Sequence, residues 1–274
     1  MSYRRKHVKN KINKSRPKKS IFKMAIFWWS LLVLIVIAVG IYFFLFFPNF
    51  QIQNISINGV ETINSQDIQN IISNNVNKKL LELGNWNLPS KSIFLTNTQD
   101  IQNKIASLYP NIKTITVTKK FPQDLDVSIQ ERQLFATFSQ NNKYFYIDDS
   151  GIIFEEIPNV AENTFIVRQS LNTNDIWLGE SVVQENVMKT ISEIAKNLKD
   201  NFQINLTEAL ISTPIRLDVK TGENWQIYFD ITENSDISLQ LTKLNLLLKD
   251  EITPEARQKL EYIDLRFKDR AYYK

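Results

Sequence analysis

Four carboxylates crowd together in the middle of the chain, Asp148 and Asp149 followed by Glu155 and Glu156. Two facing carboxyl groups about 5–9.5 Å apart are what glycoside cleavage requires, so this group is where chemistry on cell-wall sugar would be sought. Neighbouring residues on a strand point to opposite faces, however, and Asp-Asp-Ser-Gly at 148–151 is ordinary turn chemistry. The turn reading takes precedence. Nucleophilic and metal chemistry have less to work with. The chain holds no cysteine and a single histidine, His7, which removes thiolates, Cys-type metal sites and, outside the N-terminal tail, any imidazole base. A serine nucleophile would need a lysine base, and the Ser-x-x-Lys stretch SRPK falls in that same tail. Neither GENW nor DDSG has the glycine spacing of a phosphate-binding loop. No catalytic residue, metal or cofactor is expected, and the chain reads as a binding protein.

The charge distribution supports this. The formal net charge is +4, yet residues 1–23 hold ten Lys and Arg and no acid, leaving 23 basic and 29 acidic groups in the other 251 residues. This tail has too few apolar residues to bury a core. It lies directly against MAIFWWSLLVLIVIAVGIYFFLFF at 24–47, so it reads as a topology signal rather than a nucleic-acid-binding arm. Twenty-four uncharged residues make a helix of roughly 36 Å, enough to cross a hydrocarbon core of ~30 Å with some tilt. The following FFPNF lacks the small residues of a cleavage site, so the segment is expected to remain as an anchor in the lipid bilayer. Trp28 and Trp29 at one end and Tyr42 towards the other suit the two interfaces. The basic flank places the N-terminus in the cytoplasm and the remainder outside it.

Beyond the anchor, the period of the apolar residues changes repeatedly. FQIQNISING predicts a strand, and NSQDIQNIISNNV a helix capped at Asn64 or Ser65, with Ile68, Ile71, Ile72 and Val76 on one face. After a looser stretch, TNTQDIQNKIASLYP predicts a second helix. IKTITVTKKF and DLDVSIQERQLFATF alternate as two strands around a turn at Pro122 and Asp124. Further along, NKYFYIDDSGIIFEEI and PIRLDVKTGENWQIYFDI read as hairpins, and ENVMKTISEIAKNLKDNF and SDISLQLTKLNLLLKDEI as amphipathic helices. The closing EYIDLRFKDRAYYK alternates from Tyr262 to Tyr273 as one strand, whose forward edge is expected to be open to a partner strand. Lys268, Asp269 and Arg270 on it read as gatekeepers and as selectors of an acidic partner.

ISINGVETINSQDIQNII resembles the opening of a POTRA domain. IKTITVTKKFPQDLDVSIQERQLFATF with YFYIDDSGIIF, and the final YIDLRF, resemble the corresponding strands of the FtsQ/DivIB family of bacterial cell-division proteins, from about Phe50 to Phe267. The resemblance implies an α+β chain with four parts: the basic tail (1–23), a transmembrane helix (24–47), a POTRA-like βααββ domain (50–138) and a mostly antiparallel β domain with one or two helices (139–274). It further implies a non-catalytic divisome scaffold at the septum that binds FtsB-like and FtsL-like proteins through its terminal strand, among other divisome proteins, and couples them to septal peptidoglycan synthesis. Arg266 and Phe267, with Lys268 and Arg270 beside them, are then the partner-binding candidates, and Val117 and Lys119 the candidates for septal recruitment. The alternative is a membrane-anchored envelope enzyme that acts on peptidoglycan through paired carboxylates.

Overall fold

The computed structural model describes residues 25–83, 86–161, 164–170 and 175–274. The basic tail, 1–23, lies outside them. The first elements in chain order are α1 (Ala25–Phe46), β1 (Asn54–Asn58), α2 (Ser65–Val76), β2 (Lys78–Leu83), β3 (Trp86–Ser90), α3 (Thr98–Leu108), β4 (Ile112–Lys120) and β5 (Asp124–Glu131). The chain gathers into two compact units. One takes the residues up to Asn54 with Val76–Thr96 and Lys120–Asp124, and the other takes Ile55–Asn75, Asn97–Lys119 and Leu125–Lys274.

In the first unit, α1 is 22 residues of uninterrupted apolar sequence, none of it buried against protein. At 1.5 Å per residue it is about 33 Å long, sufficient to cross a bilayer core. The last carbonyls of a helix have no partner within it, and here they are taken by the chain that follows. Leu45 O accepts from the Ser90 hydroxyl (2.8 Å) and the Gln51 amide (2.7 Å), and Phe44 O accepts from the Ser92 hydroxyl (3.0 Å). β2 and β3 form an antiparallel hairpin in what the sequence presents as a loose stretch between two helices.

The three-stranded sheet has the order β1-β5-β4. α2 starts where the Asn64 side chain accepts the Gln66 amide, and α3 where Asn97 accepts those of Gln99 and Asp100. Their apolar stripes, Ile68 and Ile72 on one and Ile101 and Ile105 on the other, are fully buried. This is the expected POTRA-like order with an added hairpin. Gly59 ends β1 at φ +83°, and a Cβ there would lie 2.0 Å from Ile129 O, so only glycine fits.

The remaining elements are β6 (Ala136–Gln140), β7 (Lys143–Ile147), β8 (Ile153–Ile157), β9 (Ile166–Gln169), α4 (Glu185–Phe202), β10 (Leu206–Thr213), β11 (Arg216–Thr221), β12 (Gln226–Asp230), α5 (Ile237–Leu246), α6 (Pro254–Arg257), β13 (Tyr262–Asp264) and β14 (Tyr272–Tyr273). Among the described residues these strands form one nine-stranded sheet, ordered β14-β13-β12-β11-β10-β9-β6-β7-β8. Three pairs are parallel: β6 with β9, joined through the β7–β8 hairpin, and β9 with β10 and β12 with β13, joined through α4 and α5. Parallel neighbours need a long connection of this kind, because a tight turn can only reverse the chain. The apolar faces of both helices (Met188, Ile191, Ile194 and Leu198 of α4, Leu244 of α5) share a core with Leu217, Val219, Ile227, Phe229 and Ile263 of the sheet. β6 belongs to this large sheet and β5 to the smaller one, so residues 132–135 join the two sheets.

Two consecutive side chains organise that junction. The Glu131 carboxylate, only 7% exposed, accepts the backbone N–H groups of Glu61 (2.7 Å), Thr62 (3.0 Å) and Ile63 (3.2 Å) and the Thr62 hydroxyl. Burial alone would raise its pKa, but these donors outweigh burial and hold it below its ordinary value. Arg132 donates to Pro110 O (2.9 Å) through Nε and to Asp148 Oδ2 (2.6 Å) through Nη1, while its backbone N–H reaches Asn111 O (2.8 Å). Substitution Glu131→Gln should therefore lower the stability of the detergent-solubilised chain at pH 7 by about 2 kcal/mol, the scale of a hydrogen bond to a charged group. Because the folded carboxyl titrates below 4.5, its contribution is complete above that pH and lost as pH falls through the folded value. Urea midpoints of wild type and variant should differ at neutral pH and converge in acid.

Candidate partner-binding surface

The C-terminal ribbon is a hairpin and not the single strand its alternation predicts. β13 lies parallel to β12, with Ile227 opposite Ile263 and Tyr228 opposite Asp264, and antiparallel to β14, with Ile263 opposite Tyr273 and Asp264 opposite Tyr272. Both edges of β13 are therefore occupied. The physical cause lies between the strands. The Asp264 carboxylate accepts the backbone N–H of Arg266 (3.2 Å) and both prongs of its guanidinium (2.9 and 2.6 Å), which turns the chain. From α5, the Lys243 ammonium draws in the carbonyls of Leu265 (3.2 Å), Phe267 (2.6 Å) and Lys268 (3.5 Å). Successive carbonyls of a strand point in opposite directions, so one ammonium can gather Phe267 and Lys268 only where the strand has ended.

The open margin of the sheet is therefore β14. Tyr262 and Lys274 exchange both of their backbone hydrogen bonds (3.2 Å each). In an antiparallel ladder such pairs alternate with pairs whose N–H and C=O point away, so Tyr273 turns its backbone donor and acceptor outward. The side chains around this margin are exposed and mixed in character. Phe267 meets the Tyr272 ring edge-on at 5.1 Å, and Arg270 donates to the Tyr272 hydroxyl at 3.3 Å. Phe267 and Lys268 also line a shallow groove with Leu239, Lys243 and Asp230.

The four C-terminal candidates are placed differently from one another. Phe267, Lys268 and Arg270 are exposed around the turn. Arg266 is largely committed within the protein. Its partner Asp264 is 7% exposed, and its guanidinium lies 5.7 Å from the centre of the Tyr228 ring, with Arg216 at 4.6 Å from the same ring. Tyr228 stacks on Tyr262 at 5.6 Å. Burial would raise the Asp264 pKa, but the hydrogen bonds from Arg266 and the charges of Arg266 and Arg216 hold it down. This face of Arg216, Tyr228 and Tyr262 is not evident from the sequence beforehand. The signal available is Asp264-Leu-Arg266, a spacing of two that puts acid and base on one side. Lys243, more than twenty residues upstream, leaves no local signal at all.

Val117 and Lys119 lie on β4, one of the two marginal strands of the three-stranded sheet. Val117 is 4% exposed and its side chain belongs to the core, so the contact expected of it can be made only through backbone. Lys119 is half-buried, and that burial lowers its pKa. The carboxylate group divides as turn chemistry requires. Asp148, 1% exposed, holds Arg132 and accepts the N–H groups of Ser150 and Ile152 (2.9 Å each). Asp149 pairs with Lys113 at 2.8 Å and Glu156 with Lys143 at 3.7 Å.

A long apolar helix, a POTRA-like layer and a large sheet with an open C-terminal margin follow one another along the chain. Residues 50–132 match the POTRA domain of FtsQ type, and residues 136–266 match the C-terminal domain of cell division protein FtsQ/DivIB. The chain is 26% identical over 266 residues to the cell division protein DivIB of Clostridium botulinum, covering 94% of this chain and 91% of that one. It is 26% identical over 228 residues to DivIB of Clostridium acetobutylicum, covering 82% and 83%. To DivIB of Clostridium tetani it is 25% identical over 182 residues, covering 65% and 66%. The chain belongs to the FtsQ/DivIB family, and its role is in cell division. The matched regions meet at 132–136, where the two sheets part.

Reversing the charge at Arg266 should damage the fold before it affects any partner. With Arg266→Glu the buried Asp264 would lose its two side-chain donors and face a like charge. The solubilised chain should lose stability on the order of 1–3 kcal/mol, the cost of a stranded charged group, read as a lower thermal midpoint. Arg266→Lys should recover part of the loss, and a midpoint unmoved by the reversal would refute the clamp.

Proposed function

We propose that this protein is a non-catalytic scaffold of the divisome that receives an extended segment of an FtsB-like protein, in complex with an FtsL-like protein, on the β14 margin. The observation that carries this reading is the outward backbone pair at Tyr273. It sits beside exposed Phe267, Lys268, Arg270 and Tyr272. A strand added there would gain main-chain hydrogen bonds for affinity, and the aromatic and basic neighbours would select its side chains. The basic residues favour an acidic segment. Arg266 would act indirectly, by holding the turn that places these groups.

In this reading α1 anchors the protein once in the cell membrane at the septum, with the N-terminus cytoplasmic and both sheets outside. The scaffold couples its partners to peptidoglycan synthesis by position and performs no chemistry itself. The engagement of Asp148 by Arg132 and two backbone amides supports that view, since the residue best placed for acid catalysis already serves the fold. The margin of β4, with Lys119 beside it, is the corresponding candidate for recruitment to the septum.

Proline at 273 tests the docking mode, because it removes an outward N–H and leaves the β13–β14 ladder bonds in place. Tyr273→Pro in the full-length chain should weaken binding of the FtsB–FtsL pair about tenfold, the worth of one hydrogen bond at ~1.4 kcal/mol. Tyr273→Phe should bind as wild type. Equal affinities for all three proteins in a titration would exclude strand addition at this margin.

A further inference from the structure

The anchor continues into an aromatic cluster that the scaffold reading leaves unused. Phe44, in the last turn of α1, meets Phe50 at 5.6 Å and Phe94 at 5.3 Å. Phe50 and Phe94 meet at 5.3 Å, and Phe94 meets Phe121 at 5.6 Å. All four belong to the first compact unit. The cluster is open to the outside, for Phe121 is 61% exposed and Phe94 43%. Exposed aromatic patches of this kind mark interaction surfaces.

The depth of the helix indicates what covers them. If Trp28 and Trp29 mark one interface, Phe44 lies fifteen or sixteen residues further on, about 23 Å along the axis, and still short of a ~30 Å hydrocarbon core. A ring packed on Phe44 is therefore held at the depth where the opposite interface begins. The surrounding polar groups suit that depth. The Ser92 and Ser90 hydroxyls are satisfied by the carbonyls of Phe44 and Leu45, so these two donors are not carried bare towards the lipid. Exposed Lys91 directly precedes Ser92 in the same unit. Long basic side chains beside interfacial aromatics reach headgroup phosphates while their stems remain among apolar groups.

We infer that Phe94 and Phe121, carried by the segment after β3 and by the β4–β5 turn, insert into the membrane–water interface at the C-terminal end of α1 and form a second lipid contact beside the anchor. The inference rests on the reading of α1 as a membrane anchor, and continuity with that anchor favours lipid over a second copy of the chain.

The natural absence of cysteine makes the test direct. Four full-length variants, Phe121→Cys, Phe94→Cys, Val36→Cys and Leu134→Cys, are labelled with a bimane fluorophore and reconstituted in vesicles of phosphatidylcholine and phosphatidylglycerol. The vesicles carry lipid nitroxides at shallow or deep positions. Shallow nitroxides should quench the labels at 121 and 94 several-fold more than the label at 134, and deep nitroxides should quench the label at 36. A quenched label at 36 with labels at 121 and 94 no more quenched than the one at 134 overturns the second contact and leaves the anchor standing. An unquenched label at 36 overturns the anchor reading and this inference with it. Shielding of 121 that grows with protein-to-lipid ratio, without nitroxide quenching, assigns the patch to a second copy and also overturns it. Should Phe94→Cys loosen the cluster, the more exposed position 121 decides alone.

Discussion

A carboxylate and a guanidinium adjacent in the chain, Glu131 and Arg132, hold together most of what lies around them. A carboxylate so thoroughly removed from water is tolerated only where donors replace its hydration. Glu131 finds four, three of them backbone amides of the short loop between β1 and α2. The loop is thus shaped around the charge. Arg132 acts in the opposite direction, reaching the loop before β4 through Pro110 and the β7–β8 turn through Asp148. Asp148 in turn uses its second oxygen to close its own turn. A sequence that swapped either charge for a neutral residue would leave several loops without the group they are folded around.

The same device recurs at the other end of the chain. Lys243 and the Asp264–Arg266 pair hold the seven irregular residues between β13 and β14, as Glu131 holds the loop before α2. Paired charges inside a protein give little net stability, but removing one partner leaves the other uncompensated and is costly. Here they convert an extended ribbon into a covered strand and a short marginal one. The scaffold reading depends on that conversion, because it moves the vacant backbone positions from Arg266 and Phe267 to Tyr273.

Much of the fold was legible in the sequence. The spacing of three and four in α2, α3 and α4 and the turns at Asp148–Gly151 and Thr221–Gly222 announced themselves, since each depends on residues close in the chain. The failures share a cause. Alternation runs with little interruption from Leu125 into β6 and again from Tyr262 to Tyr273, so period alone could not reveal that the chain leaves one sheet for another or doubles back. In both places the deciding contacts come from afar: Pro110 and Asp148 onto Arg132, and Lys243 onto the carbonyls after Leu265. Val117 was legible as a strand residue, but its inward orientation depends on which face the helices cover. The candidate surface was legible as a stretch of sequence and not as a geometry.

The bonds from Ser90, Ser92 and Gln51 to the final carbonyls of α1 fix an angle as well as a position. A membrane helix followed by a slack tether can spin about its long axis without disturbing what it carries. Three side chains gripping two neighbouring carbonyls remove that freedom within the unit, so the azimuth of the helix and that of the segment after β3 are one quantity. Any protein that recognises a particular side of α1 within the bilayer thereby also sets the compass bearing of Phe94 at its rim.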